Sequence, residues 1–245
     1  MSSFILWGPP GSGKTTMACT MCKLGYSVLL IDLDKKAEQM FNIKTYIEEG
    51  KLTIVTPKSD LVAGDLKIRV LQPKRAPITQ PKGYLEFIDI VNAIQKGEYA
   101  KYDVLVIDST TRLLEHLKRL ILHVQGRGSM EIQDWGILLS NLEELFSTVF
   151  SLNFKHIILI AHDQTERDEL LGTIEMKPLL DGQMKNKAGS YVEEMYYLNV
   201  ESTKQGAQYT ILTKPLGRIK QCRTSRNLNA VEPADFSIIL KEEMK

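Results

Sequence analysis

Gly8-Pro9-Pro10-Gly11-Ser12-Gly13-Lys14-Thr15-Thr16 follows a short apolar run, Phe4-Ile5-Leu6-Trp7, and precedes Met17-Ala18-Cys19-Thr20-Met21-Cys22. That order reads as strand, glycine-rich loop, helix. The spacing fits G-x-x-x-x-G-K-[ST], a phosphate loop. Its glycines let the backbone curl until successive N–H groups face one concavity. A helix N-terminus adds its dipole there, so the concavity holds an anion. Lys14 is placed to reach the terminal phosphates of a bound nucleoside triphosphate, and the Thr15 hydroxyl to ligate Mg²⁺. Every residue from Gly8 to Thr16 belongs to this expected binding site.

Bulk properties bound what the triphosphate serves. The chain has 245 residues, which suits one α/β domain or at most two small ones, and a single domain is expected. Hydrophobic residues make up 43% and charged residues 25%, an ordinary globular mix. The net charge of +1 provides no global field toward nucleic acid, so any such binding must come from local clusters. No apolar run approaches the roughly 20 residues that cross a membrane. The N-terminus enters the first strand with no signal-peptide pattern, and the three cysteines are too few and odd in number for a disulfide framework. A cytoplasmic location is therefore expected. Cys19 and Cys22 form a C-x-x-C, but they lie on the first helix, on the face expected to meet the sheet. No second pair completes a metal site, so they read as packing residues.

Two further strands carry the chemistry. Val28-Leu29-Leu30-Ile31-Asp32 is a continuous apolar run ending in acids, the pattern of a buried parallel strand. It sets Asp32 and Asp34 at the strand's C-terminal end, the edge where α/β sheets place ligands. Val104-Leu105-Val106-Ile107-Asp108 has the Walker B form, with Asp108 expected to hold Mg²⁺ beside Thr15. His156-Ile157-Ile158-Leu159-Ile160-Ala161 is a third buried strand, and His162 follows it on the same edge. A third polar group converging there favours a sensor of the bound phosphate over a histidine merely satisfied at a strand end.

The connecting segments are less explicit. Lys35 to Phe41 and the intervals 84–94, 112–124 and 131–152 read as helical. In the first long one, Leu85, Ile88, Val91 and Ile94 form the apolar face. Trp135 reads as a core anchor, with base stacking as the alternative. Residues 57–82 contain four prolines, and Lys67, Arg69, Lys74, Arg75 and Lys82 face no acid between Leu66 and Tyr84. They form an exposed excursion, either a solvated connection or a phosphate-backbone contact. Residues 163–190 read as a mobile polar loop entering a short helix. Late strands at 195–200 and 209–213 are expected to be antiparallel. Segment 214–226 is basic and without acids, and 236–240 is a short strand or docking segment.

The ordered set GPPGSGKTT, LLIDLDKKAE, VLVIDSTTRL and ILIAHDQ resembles the RecA-like branch of P-loop ATPases. Within that branch it is most similar to compact phage nucleotide-binding proteins that include RecA-related single-strand annealing proteins. DWGILLSNLEELF resembles the helix that these proteins carry before the sensor strand. The resemblance implies a three-layer α/β fold, mostly parallel with late antiparallel strands, and ATP with Mg²⁺ as ligands. It implies catalytic roles for Lys14, Asp34, Asp108 and His162. Asp34 takes the place of the carboxylate that orients the attacking water. That residue is usually Glu, so the shorter Asp34 implies slow hydrolysis or help from Glu38. His162 stands where a Gln is common.

The resemblance further implies that the loops at 125–134 and 163–190 face single-stranded DNA, with Arg127, Lys185 and Lys187 as contacts. It implies that Lys214, Arg218 or Lys220 reaches a neighbour's triphosphate. The expected partners are single-stranded DNA, further copies in a ring or short filament, and a single-strand-binding protein, in a host cytoplasm. The expected activity is a DNA-stimulated ATPase of phage recombination that anneals or pairs strands. Two rival readings stand beside it: a nucleotide-gated DNA-binding module with negligible hydrolysis, and a small-molecule kinase in which segment 214–226 forms a basic lid.

Overall fold

The computed structural model describes residues 1–57, 75–76, 79–167, 172–204 and 206–241. The apolar runs form strands β1 (Ser2–Trp7), β2 (Val28–Asp32), β3 (Leu52–Val55), β4 (Val104–Asp108) and β5 (His156–Ala161). A short pair, β6 (Asp163–Arg167) and β7 (Ile174–Pro178), precedes β8 (Glu194–Thr203), β9 (Gly206–Leu212) and β10 (Val231–Pro233). The main sheet runs β10-β9-β8-β1-β5-β4-β2-β3, and β6 and β7 form a separate antiparallel hairpin. From β8 to β3 all pairings are parallel, whereas β9 and β10 are antiparallel. Strands packed on both faces need no polar alternation. That is why β1, β2, β4 and β5 are apolar along almost their whole length.

Alternate residues of each strand feed two cores. Phe4, Leu6, Leu30, Val106 and Ile158 face the phosphate-loop helix (Lys14–Cys19), its 3₁₀ continuation (Thr20–Leu24) and the late helix Phe236–Ile239. Ile5, Trp7, Leu29, Ile107 and Leu159 face helices Gly83–Gln95, Thr110–Val124 and Ile132–Phe150. Helices on both faces of one mostly parallel sheet give the three-layer α/β fold that the resemblance implied. Register aligns the chemistry. Asp32 lies opposite Asp108, Asp108 opposite Ile160, and Trp7 opposite Ala161, so Gly8, Asp34, Asp108 and His162 emerge at one edge. No helix among the described residues is long and apolar enough to cross a membrane.

Several local expectations change. The 83–95 helix buries Tyr84, Phe87, Val91 and Ile94, while Leu85 is exposed. The aromatic residues at positions 84 and 87 extend the stripe from Val91 and Ile94 better than Leu85 does. Residues 35–41, read as helical, form a 3₁₀ turn at Ala37–Gln39, and another follows at Phe41–Ile43. Trp135 is not a core anchor: it is 40% exposed in the first turn of its helix, with the Lys118 ammonium 5.3 Å from its ring centroid. The buried tryptophan is Trp7. Residues 163–190, expected as a loop, carry the β6–β7 hairpin and the short helix Met184–Lys187. Charge pairing across the hairpin explains a strand pair without an apolar pattern, since Lys177 bonds Glu166 at 2.9 Å. The tail at 236–240 forms a helical turn capped by Asp235, with Phe236 fully buried.

Gly8 shows how closely the phosphate loop packs on the sheet. Its φ is +148°, and a Cβ there would lie 2.5 Å from the backbone oxygen of Leu198 on β8. Gly8→Ala combines a disfavoured φ with a clash against backbone that cannot yield. The expected cost is about 2–3 kcal/mol of stability, read as a lower denaturant midpoint at unchanged slope. A midpoint within error of wild type would refute the packing argument.

Candidate functional site

The phosphate loop closes on itself. Gly11 and Gly13 have φ of +80° and +84°, and Ser12 N–H donates to Pro9 O at 3.2 Å. Gly13 caps the helix that begins at Lys14. The Lys14 ammonium is buried and donates to Gly8 O and Pro9 O, both at 2.7 Å, and to Ser12 Oγ at 3.4 Å. Burial pushes its pKa down to about 8, against the opposing pull of Asp108, Asp163 and Asp34. A buried cation held by neutral carbonyls gains directly from an incoming phosphate.

Beside it, Thr15 Oγ1 donates to Asp108 Oδ2 at 2.5 Å. Burial raises the Asp108 carboxyl to about 6. The Thr15 bond and Lys14 oppose this, while Asp34 and Asp32 add to it. A buried carboxylate so short of positive charge, next to a hydroxyl oxygen, is a donor set that fits a hard divalent cation. Two protein oxygens also suit Mg²⁺, which keeps most of its positions for phosphate and water. Asp32 plays a different part. It accepts the backbone N–H of Lys35, Lys36 and Ala37 at 2.8–2.9 Å and thereby shapes the turn that presents Asp34.

Asp34 stands between two cationic or polarisable groups. Arg112 Nε donates to its Oδ1 at 3.2 Å, and His162 Nε2 lies 3.8 Å from Oδ2. Burial alone would raise this carboxyl, but the Arg112 guanidinium bonded to it, with His162 and Ser109 close by, overcomes that and holds it at about 2. Arg112 also bonds Glu115. His162 is tied to the hairpin through Thr111. The His162 backbone N–H donates to Thr111 Oγ1 at 3.1 Å, Thr111 Oγ1 donates to Leu179 O at 3.2 Å, and Leu179 N–H donates to His162 O at 2.7 Å.

These residues line one cavity of about 590 Å³, which holds Pro10, Gly11, Gly13, Lys14, Thr15, Thr16, Asp34, Asp108 and His162. Gly8, Pro9 and Ser12 lie behind it and hold Lys14. The cavity continues past Asn42 and Tyr209 to the Lys23–Asp235 ion pair, 2.6 Å long. Sequence reasoning missed this far wall. Tyr209 comes from β9 to meet Gly13, where a Cβ would stand 3.0 Å from its ring. Only the fold brings residues 196 positions apart together, so no local pattern signals it. Arg112 was also missed as a partner of Asp34; its one signal is its place in the turn after Asp108.

The basic residues assigned to DNA are differently placed. Arg127 Nη1 donates to both oxygens of fully buried Asp134 at 3.0 Å, and Asp134 also caps its helix by accepting Glu131 N–H. A buried carboxylate needs such a partner, so Arg127 is a structural residue. Lys185 bonds Glu166, and Lys187 bonds Glu143 at 2.6 Å. The Lys187 pair is exposed, and a pair of that kind exchanges at little cost. Lys214, Arg218 and Lys220 are exposed around a tight turn closed by Leu216 and Ile219, outside their own chain's cavity. Lys67, Arg69 and Lys74 lie outside the described residues. Cys19 and Cys22 are buried and free, with the Cys22 thiol pushed by burial to about 12, as packing residues should be.

The family described as AAA domain matches residues 2–219. No curated protein matches the chain. Among solved structures, the flagellar accessory protein FlaH from Methanocaldococcus jannaschii is similar at 14% identity over 95% of this chain and 86% of that one, with a TM-score of 0.41. The KaiC-like protein PH0186 from Pyrococcus horikoshii OT3 is similar at 16% identity over 86% of this chain and 77% of that one, with a TM-score of 0.40.

Proposed function

The chain belongs to the AAA domain family, and from that premise we propose that it is an Mg²⁺-dependent ATPase acting on single-stranded DNA in phage recombination. Its output is annealing or strand pairing. The observation that carries this reading is convergence. Lys14, Asp34, Asp108 and His162 line one cavity, and His162 leads without an intervening residue into the β6–β7 hairpin.

In this reading the phosphate-loop N–H groups and Lys14 hold the β- and γ-phosphates. Thr15 and Asp108 hold Mg²⁺, which when bound offsets phosphate charge. Asp34 orients the attacking water and His162 senses the γ-phosphate. Occupancy of the site biases the hairpin, as γ-phosphate contacts bias switch segments. Lys187 supplies a DNA contact once its exposed pair with Glu143 exchanges, and Lys185 once it leaves half-buried Glu166. Lys214, Arg218 or Lys220 serves a neighbouring copy in a ring or short filament, and a single-strand-binding protein supplies substrate. A nucleotide-gated module with slow hydrolysis is the second reading, favoured by the hold of Arg112 on Asp34.

ATP turnover measured with and without oligo-dT across a salt series tests the claim. Stimulation is expected at low salt, fading as salt rises because phosphate contacts release counterions. Absence of stimulation at low salt would sink the DNA reading. Stimulation by nucleoside monophosphates instead would point to a kinase.

Asp108 gives a pH prediction. Its carboxyl is raised to about 6 from 3.8 in the metal-free protein. Its contribution to stability is therefore full below the unfolded value and is lost as pH rises through about 6. Mg²⁺ needs the ionised form. The gain in melting temperature from Mg·ATP is thus expected to be larger at pH 7.5 than at pH 5.5. An equal gain at both would remove Asp108 from the metal site.

A further inference from the structure

Asp34 lines two cavities. One is the phosphate-loop cavity; the other, about 200 Å³, is lined also by Leu33, Lys35, Arg112, Glu115, His116 and Arg119. Its size is too small for a drug-sized ligand and suits a single compact anion. Arg112 and Arg119 are seven residues apart on the Thr110–Val124 helix, so they share one face. Lys35 lines the same cavity. It is exposed and held in the left-handed region at φ +58°, with its N–H fixed by Asp32. A bulky residue kept in that conformation is costly and marks a constrained position. Three cations against the carboxylates of Asp34 and Glu115 leave the groove one positive charge. Neither Lys35 nor Arg119 has an ion pair among the described residues.

We propose that this groove binds a backbone phosphate of single-stranded DNA, and that the phosphate draws Arg112 away from Asp34 and so releases Asp34 for work on the attacking water. The identity of the anion rests on the single-stranded DNA reading above; the hold of Arg112 on Asp34 does not. A guanidinium binds phosphate bidentately and strongly, so a backbone phosphate flanked by Lys35 and Arg119 competes well for Arg112. While Arg112 is in place, Asp34 is faced by Arg112 from the helix, His162 from the end of β5, Lys14 from the phosphate loop, and Asp32 and Asp108 from the strand ends. Removing the nearest fixed cation makes the carboxylate more basic, and a more basic carboxylate polarises water better. Arg112 is thus a positioning residue that acts through Asp34, and the groove couples DNA to turnover.

The test uses the full chain and three variants. Arg112→Ala is expected to raise DNA-free kcat about fivefold, to lose stimulation by oligo-dT, and to move the acid limb of the kcat profile to higher pH. Lys35→Ala and Arg119→Ala are expected to bind labelled oligo-dT about tenfold more weakly at low salt, each lowering the salt slope by about one. A fall in DNA-free kcat for Arg112→Ala with an unmoved acid limb would overturn the release of Asp34. Wild-type affinity for oligo-dT in both Lys35→Ala and Arg119→Ala would overturn the groove while leaving the DNA reading intact. If the wild-type chain itself binds no oligo-dT at low salt, the DNA reading fails and the groove loses its occupant.

Discussion

Lys14→Ala is expected to weaken ATP binding at least about 100-fold, close to 3 kcal/mol, while leaving the protein folded. The ammonium is buried against Gly8 O and Pro9 O, and burial has already lowered its pKa to about 8. It therefore sits in a costly state that a polyanion relieves. Removing it deletes a charge-assisted contact to phosphate, the stronger class of hydrogen bond. It also removes the cation nearest to Asp108, so the acidic wall meets the triphosphate unopposed. Stability should change much less, because the desolvation cost of the ammonium goes with it. Calorimetric titration with Mg·ATP, beside a thermal melt, checks both halves. An unchanged Kd in a folded variant would remove Lys14 from the binding site.

Asp34→Ala should act on the rate instead. Turnover is expected to fall about 10²–10³-fold, with ATP affinity within about threefold of wild type, the pattern of an interaction made only in the transition state. Asp34 touches His162 and Arg112 rather than the loop that grips the phosphates. Single-turnover measurements separate the chemical step from binding. Unaltered turnover would leave Asp34 as a structural partner of Arg112 and favour the nucleotide-gated module. Annealing assays on Lys14→Ala and Asp34→Ala then ask whether ATP chemistry drives the output. If both anneal like wild type, it does not.

The strands and the phosphate loop were legible in the sequence because their causes are local. A strand buried on both faces must be apolar throughout, and the loop needs glycine at φ values that other residues avoid. The ends of β2, β4 and β5 could be aligned because parallel strands present their C-terminal residues to one edge. Partner choice was not legible. Arg127 looked like a free cation in a loop, but Asp134, seven residues on, is buried and takes it. Lys185 and Lys187 meet acids 19 and 44 positions away. The type of Trp135 suggests burial, whereas its side chain lies on the exposed side of the first helical turn, beside buried Asp134. Tyr209 reaches the site only because β9 runs back past the phosphate loop.

The single hydroxyl of Thr111 joins both feet of the β6–β7 hairpin. It accepts from His162 at the start of one arm and donates to Leu179 just beyond the other. Feet pinned to one atom cannot shift separately, so the ribbon has a fulcrum. Each arm is five residues long, roughly 17 Å at the usual strand rise, on a base about 5 Å wide. Leverage of that ratio magnifies a tilt at His162 roughly threefold at the far end of the ribbon. In the proposed function, a displacement of half an ångström at His162 would arrive there as well over one ångström.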